Sequence, residues 1–305
     1  MNTRIKHKNA LKRPAGSRVA DFVIYAVLTL LALLMVFPFY NMLLVSFAPY
    51  QYVSGGQLYL WPRGVDLVNY KTILSDPKLI SAFGVSLFNT VFGTALAMSV
   101  TTCAGYALAK KSLPGRGWIL TLFVITMYFG AGLIPFYLVC RDLGFIDNIL
   151  VMTVPGCLSV YNMILMKNYF GTIPESLPES GRIDGANEFR IMLQIVLPCA
   201  APILATIALF YAVGFWNEWW NAMIFIQKNT ATMTPLQLLL RKIVIEATMD
   251  LGNDMANSFK NANVAIYKTG MQMASVAVAT LPILVVYPFV QKYFATGIML
   301  GAVKS

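Results

Sequence analysis

The chain has 305 residues, of which 58% are hydrophobic and only 12% are charged, and its net charge is +10. Soluble domains carry roughly 25% charged residues, so this composition is typical of a membrane protein. The positive charge does not indicate nucleic-acid binding, because the Lys and Arg residues lie between long apolar runs and not on one solvated face.

Most catalytic and metal sites need residues that this sequence lacks. The only histidine, His7, lies in the basic amino-terminal tail, which excludes Ser-His-Asp triads and histidine zinc sites. The four cysteines lie in or beside apolar runs without CxxC spacing, and they are interpreted as small buried hydrophobes. No GK[ST] triplet occurs, so there is no P-loop and any ATP must be hydrolysed by another chain. We therefore predict that this chain is not an enzyme and binds no cofactor or metal.

Uncharged runs mark the membrane spans, since a charge at a helix centre costs about 2.5 to 3.5 kcal/mol. Six runs can supply the roughly 20 residues that a bilayer requires, which predicts an all-α polytopic membrane protein. The predicted spans are 20–48, 80–109, 117–140, 148–169, 197–226 and 270–294. The first follows a basic tail, but its apolar run is far longer than that of a signal peptide, so it is interpreted as a retained anchor.

The distribution of Lys and Arg predicts the orientation of the chain. The tail 1–18, the short loop 110–117, the segment 167–190 and the carboxyl-terminal end, including the tail 299–305, hold 14 of the 23 basic residues. By the positive-inside rule, this side is cytoplasmic, and so are both termini. The connections 49–78 and 227–269 lie outside within a permease domain spanning 19–298, and long loops such as these follow the rule poorly.

The stretch ESGRIDGANEFR, residues 179–190, concentrates charge in an otherwise apolar chain. Pro174 suits the first turn of a helix, Gly185 suits a turn with positive φ, and Ala186–Val196 predicts a second helix that stops near Pro198. We therefore predict a helix-turn-helix at the cytoplasmic membrane surface. One apolar face of its second helix would comprise Phe189, Met192, Leu193 and Val196. From this pattern alone, an interfacial loop without a partner is the alternative.

The spacing of Glu179, Gly185, Ile195, Leu197 and Pro198 resembles the EAA loop, E-A-A-x-x-x-G followed nine residues further on by I-x-L-P, of membrane subunits of bacterial ABC importers. The segments RIDGANEFR, IVLPCAAPIL, GFWNEWWNAM and the ending GAVKS are similar to carbohydrate importers of the maltose type, on the side of the pair that ends in G-A-V-K. The segments WPRGVDLVNYKTIL and GAGLIPFYLVCRDLGFIDN are similar to a branch for complex oligosaccharides from plant or host polysaccharides.

This resemblance implies a type I ABC importer permease fold in the bacterial cytoplasmic membrane. It also implies a second homologous permease subunit, two ATPase subunits that bind ATP and Mg, and an extracytoplasmic sugar-binding protein. The residues 172–196 would be the coupling loop that contacts the ATPase. The residues implied in that contact are Glu179, Ser180, Gly181, Asp184, Gly185, Ala186 and Phe189.

The sequence departs from the family pattern at Ser180 and Gly181, where two alanines are usual. Glycine at 181 should weaken the first coupling helix by up to about 1 kcal/mol relative to alanine. By the same resemblance, the ending GAVKS reaches towards the ATPase dimer, although a frayed end explains Lys304 and Ser305 equally well.

Candidate residues of the translocation path are Asn89, Tyr211, Trp216, Asn217, Glu218 and Asn221. Glu218 is about 30 Å along a helix from Pro198, near the outer boundary of the membrane. Tyr211, Gly214, Glu218 and Asn221 share one side of that helix, and aromatic and amide groups suit a sugar. The alternatives are an aromatic belt with Glu218 paired to the partner subunit.

Two further patterns predict packing. Gly93, Ala97, Thr101 and Gly105 recur every four residues, which lets another helix approach closely, and Asn89 extends this stripe either to the path or to a hydrogen bond with a neighbouring helix. In the outer segment, Pro235–Met249 has leucines at helical spacing and predicts a surface helix packed on the bundle or on the partner.

Three other functions compete with a sugar importer. An ion-coupled carrier predicts inverted repeats, which the sequence does not show. A membrane-embedded transferase needs several acids or a histidine at the membrane surface. An ABC importer for a non-sugar solute would share the EAA loop, but WNEWW and GAVKS favour a sugar.

Overall fold

The structure, a computed structural model, describes residues 15–49, 61, 64–227, 232–253, 269–282 and 284–285. In this part of the chain the regular structure is helical, without strands. The helices are α1 (Ala15–Phe47), α2 (Val68–Leu74), α3 (Pro77–Ala109), α4 (Arg116–Tyr128), α5 (Leu133–Asp142), α6 (Val160–Phe170), α7 (Ser176–Ile183), α8 (Glu188–Ile191), α9 (Leu197–Cys199), α10 (Ala201–Trp216), α11 (Trp220–Phe225), α12 (Leu236–Asn253) and the helical residues 269–282. Most of the amino-terminal tail, part of the outer segment 227–269 and the tail 299–305 lie outside the described residues.

Within the described residues, three helical segments are long and apolar enough to cross a membrane. They are Ala20–Phe47, Pro77–Ala109 and Ala201–Phe225. The pair α4 and α5 qualifies as a fourth if the two helices form one span, although they are bent by 118°. These segments coincide in position with the first, second, third and fifth predicted spans.

Helix α1 packs on the rest of this chain only near its outer end. The Ser46 and Tyr70 hydroxyls are 2.7 Å apart, and the ring of Phe47 stacks on that of Tyr70 with centroids 4.7 Å apart. The hydrophobic stretch before this end is exposed. Its apolar surface is therefore available to lipid or to another subunit.

Helix α3 is the centre of the bundle and packs on both α6 and α10. It begins where the Asp76 carboxylate accepts the Lys78 N–H at 2.9 Å. A Cβ at Gly93 would lie 2.9 Å from the Phe215 ring, and one at Gly105 would lie 3.1 Å from Met166 Cγ. The predicted close approach of helices at the small-residue stripe is confirmed.

The third predicted span, 117–140, is not one continuous helix. α4 ends at Tyr128, the chain extends at Phe129, and α5 begins after Gly132, which has φ +82°. Glycine is the residue that adopts this left-handed conformation without strain. The turn at 129–132 therefore produces the bend.

The fourth predicted span, 148–169, is also interrupted. A 3₁₀ turn, Ile149–Met152, precedes α6, whose 11 residues extend about 16 Å and are too few to cross a bilayer alone. The Ser159 side chain accepts the Asn162 N–H and caps α6.

The outer helix α12 confirms the predicted surface helix packed on the bundle. Leu236, Leu238 and Leu240 are buried. The Leu236 N–H donates to the Ser86 hydroxyl of α3 at 2.8 Å, so the start of α12 is fixed to the central helix.

Candidate functional site

The charged loop (residues 172–196) forms the predicted helix-turn-helix, and Gly185 forms its turn. Gly185 has φ +77°, as predicted. Its N–H donates to the Arg182 carbonyl at 3.0 Å, and the Ala186 N–H donates to the Gly181 carbonyl at 2.9 Å. These two bonds satisfy carbonyls at the end of α7 and reverse the chain direction.

Gly181 allows α7 to lie directly on the second arm of the loop. It is buried, and a Cβ there would be 2.8 Å from Ile195 Cδ1 and 3.2 Å from Ile191 Cγ1. The departure from the usual alanine therefore has a packing reason. The lost helix propensity is accompanied by a closer approach of the two arms.

The second arm differs from the predicted helix Ala186–Val196. It begins at Glu188, because the Asn187 side chain accepts the Arg190 N–H at 2.8 Å and caps α8. It then passes through a π-helical turn, Met192–Val196, and continues through Pro198 to Cys199 instead of stopping there. The Leu197 N–H donates five residues back to Met192, so the widened turn carries the helix up to the proline.

The predicted apolar face of this arm is also wrong, because its four residues point in different directions. Met192 and Val196 are buried with Ile191 in a core cluster that includes Phe170 of α6. Phe189 and Leu193 are instead 63% and 45% exposed. The loop therefore attaches to the bundle by one face and leaves a second apolar face open.

Glu188 joins the charged loop to the inner end of α3. Its carboxylate accepts the Tyr106 hydroxyl at 2.7 Å and the Arg182 Nε–H at 3.0 Å, and it forms an ion pair with Lys110. The Lys110 ammonium also lies 4.7 Å from the centroid of the Tyr106 ring. The network thus connects α7, α8 and α3.

The cations around Glu188 set its charge. The hydrogen bond from Lys110, followed by those from Tyr106 and Arg182, lowers the pKa of Glu188 to about 2 against the opposing effect of burial. The hydrogen bond to Glu188 in turn raises the pKa of Arg182. Sequence reasoning missed this network, because Tyr106 and Lys110 are about 80 residues from Glu188 and no spacing rule connects them.

The residues predicted to contact an ATPase lie on the outer surface of the loop, with two exceptions. Glu179, Ser180, Asp184, Gly185 and Phe189 are exposed. Ala186 is half-buried, and Gly181 is buried between the two arms. Ile183, which the sequence did not single out, is 80% exposed beside Phe189 and adds an apolar residue to this surface.

A cavity of about 890 Å³ separates the first arm of the loop from the end of α3. Its charged lining comprises Lys110, Lys111, Glu175, Glu179, Arg182 and Glu188. The predicted residue Glu179 therefore stands at the edge of the space beside the Glu188 network.

Four residues predicted on one side of the fifth span do line one cavity. Tyr211, Gly214, Glu218 and Asn221 surround about 210 Å³ together with residues of the 3₁₀ turn and of α10. The Glu218 carboxylate accepts the Asn221 N–H at 2.8 Å. The helix is broken between α10 and α11 at residues 217–219, which the sequence did not predict, but this bond keeps Glu218 and Asn221 together.

The hydroxyl of Tyr211 connects three segments of the bundle. It lies 2.6 Å from the Thr101 hydroxyl of α3 and accepts the Ser159 N–H, which precedes α6, at 3.0 Å. The wall of this cavity is therefore held by a defined hydrogen-bond network.

The remaining candidate path residues lie elsewhere. Asn89 is buried, and its side-chain amide donates to the Phe215 carbonyl of α10 at 2.9 Å. Trp216 is buried against Phe83, with ring centroids 5.7 Å apart. Asn217 is exposed and lines a different cavity with Trp219.

A family comparison accounts for most of the chain. Residues 101–300 match the family described as binding-protein-dependent transport system inner membrane component.

Two relatives from Bacillus subtilis are similar over nearly the whole chain. The polygalacturonan/rhamnogalacturonan transport system permease protein YtcP is 38% identical, over 95% of this chain and 99% of its own. Protein LplC is 38% identical, over 88% of this chain and 90% of its own.

A solved structure shares the fold. A chain of a bacterial ABC transporter involved in the import of the acidic polysaccharide alginate superposes with a TM-score of 0.82 and is 31% identical. The match covers 92% of this chain and 99% of that chain.

Proposed function

This chain belongs to the family of inner membrane components of binding-protein-dependent transport systems, and we propose that it forms half of the transport pathway for an oligosaccharide. It is a permease subunit of an ABC importer and not an enzyme. Such a permease lies in the membrane and works with a partner permease, an ATPase and a substrate-binding protein. The names of two relatives, which refer to polysaccharides, support the choice of an oligosaccharide.

The observation that carries the coupling role is the two-sided construction of the charged loop. One side is fixed to the bundle through Ile191 and the Glu188 network, and the other exposes Ile183 and Phe189. Exposed apolar residues rimmed by charge are typical of a protein interface. The proposed occupant of this surface is the ATPase subunit, with Glu179, Ser180 and Asp184 at the charged rim.

The proposed mechanism is alternating access. Closure of the ATPase dimer on ATP displaces α7, and the Glu188 network transmits the displacement to Tyr106 and Lys110 at the end of α3. Because α3 packs on α6 and α10, its tilt changes the width of the cavity beside Glu218. ATP and Mg are bound by the ATPase, and this chain supplies no group to them.

The proposed topology has six spans with both termini in the cytoplasm. The three long helical segments supply the first, second and fifth spans, and the bent pair α4 and α5 supplies the third. The 3₁₀ turn with α6 supplies the fourth, and the helix that begins at residue 269 supplies the sixth. The distribution of Lys and Arg supports this orientation.

The proposed solute path passes the cavity lined by Tyr211, Glu218 and Asn221. A carboxylate, an amide and a phenol offer the hydrogen-bonding groups that sugar hydroxyls need. Asn89 and Trp216 instead hold the helices together, because both are buried in helix contacts.

The proposed assembly contains two homologous permeases, two ATPase subunits and an extracytoplasmic sugar-binding protein. Purification of the tagged chain from its native membranes in mild detergent, followed by mass spectrometry, tests it. We expect an ATPase and a second permease in equimolar amounts with this chain.

Uptake of radiolabelled oligosaccharides by the reconstituted complex tests the solute. A complex that takes up a peptide or an osmolyte but no oligosaccharide would leave the permease assignment intact and refute the sugar. Recovery of the chain alone, with no ATPase after crosslinking, would instead contradict the assembly.

A further inference from the structure

A second cavity, separate from the one beside Glu218, lies where α12 meets the break between α10 and α11. Its volume is about 570 Å³, within the range of small-molecule sites. Its polar and aromatic lining comprises Asn217, Trp219, Gln237, Arg241 and Thr280, and the rest is aliphatic. The lining therefore carries one cation and no anion.

Arg241 is held in this cavity by an aromatic ring. Its guanidinium carbon lies 3.9 Å from the centroid of the Trp219 ring, and Trp219 packs edge-to-face on Trp220 with centroids 5.4 Å apart. A guanidinium stacked in this way uses its face for the cation–π contact and keeps the N–H groups at its edge free to donate. Trp219 thus positions Arg241 without occupying its hydrogen-bond donors.

Arg241 also differs from other cations of the chain in its surroundings. Arg182 is paired with Glu188, and Arg141 is paired with Asp142. For Arg241, the residues that the structure describes place no carboxylate within ion-pair distance. Its planar edge therefore matches an external carboxylate, which arginine binds through two parallel hydrogen bonds.

The neighbours of Arg241 suit the remainder of a sugar. Asn217 and Gln237 provide amides and Thr280 provides a hydroxyl, and all three face the same cavity. These groups both donate and accept hydrogen bonds, as sugar hydroxyls require. A carboxylate beside several hydroxyls is the chemistry of a uronic acid.

We propose that this cavity is a subsite for a uronate residue of the transported oligosaccharide, with Arg241 binding the sugar carboxylate and Trp219 positioning Arg241. The inference rests on the proposed oligosaccharide function and adds to it the chemical class of one sugar unit. It predicts that the charge of the solute, and not only its size, is recognised by this subunit.

The test measures binding of trigalacturonate to the complete permease and ATPase complex in nanodiscs, by saturation-transfer difference NMR. The fully methyl-esterified trisaccharide serves as the neutral ligand. For Arg241→Gln we expect the Kd of trigalacturonate to rise about tenfold, as loss of one charge-assisted pair implies. The Kd of the methyl ester should stay unchanged.

Two further variants control for general effects. Lys71→Gln removes a positive charge from exposed helix α2, outside the cavity, and should leave both Kd values unchanged. Arg241→Lys keeps the charge but loses the planar edge, so it should retain part of the preference for trigalacturonate.

Three results would overturn the subsite. One is equal weakening of both ligands by Arg241→Gln, another is the same loss in Lys71→Gln, and the third is no binding of trigalacturonate by the wild-type complex. Uptake of neutral oligosaccharides in proteoliposomes is measured in parallel. If neutral sugars enter while trigalacturonate fails to bind, only the subsite is wrong, whereas failure of every oligosaccharide to enter refutes the proposed function itself.

Discussion

At the scale of single residues, Glu188 is the contact through which the charged loop acts on the membrane helices. It receives hydrogen bonds from Tyr106 and Arg182 and pairs with Lys110. These side chains are partly exposed, so each pair is worth about 1 kcal/mol or less. Their importance lies in direction, because they connect the loop to one particular helix.

Replacing Glu188 by Gln tests this connection. Glutamine keeps the shape and one acceptor oxygen but loses both ion pairs. We expect ATP-dependent uptake to fall about two- to fivefold, as a loss of up to about 1 kcal/mol implies, with normal assembly. Glu175→Gln removes a carboxylate from the same cavity without breaking a described ion pair and should transport normally. Equal rates for the two variants would contradict the role of Glu188.

Acid should disconnect the loop in a defined pH range. The pKa of Glu188 falls from 4.5 to about 2 in the folded protein, so its contribution to stability is complete above pH 4.5 and is lost as the pH falls through about 2. The difference in Tm between wild type and Glu188→Gln should therefore be constant from pH 7 to 5 and shrink below 4.5. A difference that already disappears near pH 6 would show that another group controls the loop.

At the scale of structural elements, the turn at Gly185 sets the angle between the two arms of the charged loop. Gly185→Pro is incompatible with φ +77° and removes the N–H that donates to Arg182. We expect this variant to assemble but to uncouple ATP hydrolysis from uptake. Gly185→Asn should retain most uptake, since asparagine tolerates positive φ. Normal uptake by the proline variant would refute the proposed coupling turn.

The packing of α3 offers a matched pair of glycines. A Cβ at Gly93 would press on the Phe215 ring at 2.9 Å, whereas a Cβ at Gly84 of the same helix meets no atom within 4 Å. Gly93→Ala should therefore destabilise the bundle by about 1 to 3 kcal/mol through overpacking. Gly84→Ala should be neutral or stabilising by up to about 1 kcal/mol. Thermal unfolding of the purified complex distinguishes them, and equal Tm values would contradict the close contact.

The sequence predicts the elements whose cause is local. The turn at Gly185, the stripe from Gly93 to Gly105 and the outer helix α12 follow from residue type and spacing, and the structure confirms them. The π-turn at Met192–Val196 and the break at 217–219 do not follow, because tertiary contacts favour them. The Glu188 network is missed for the same reason, since its members come from distant segments.

At the scale of the whole molecule, the chain is organised around one central helix that touches both functional regions. Helix α3 meets the charged loop at Lys110, meets Tyr211 beside the small cavity at Thr101, and meets α12 at Ser86. These three contacts are distributed along about 35 Å of one helix. The arrangement gives a single rigid element by which events at the loop reach the outer cavities.

The central claim is that the exposed face of the charged loop binds an ATPase, and site-specific photo-crosslinking in native membranes tests it most directly. A benzophenone amino acid at Ile183, which is 80% exposed, should form a covalent adduct with the ATPase subunit. The same probe at Val65, which is 72% exposed on the proposed outer side, should form none. Adducts of Ile183 with lipid alone, or an ATPase adduct at Val65, would contradict the account.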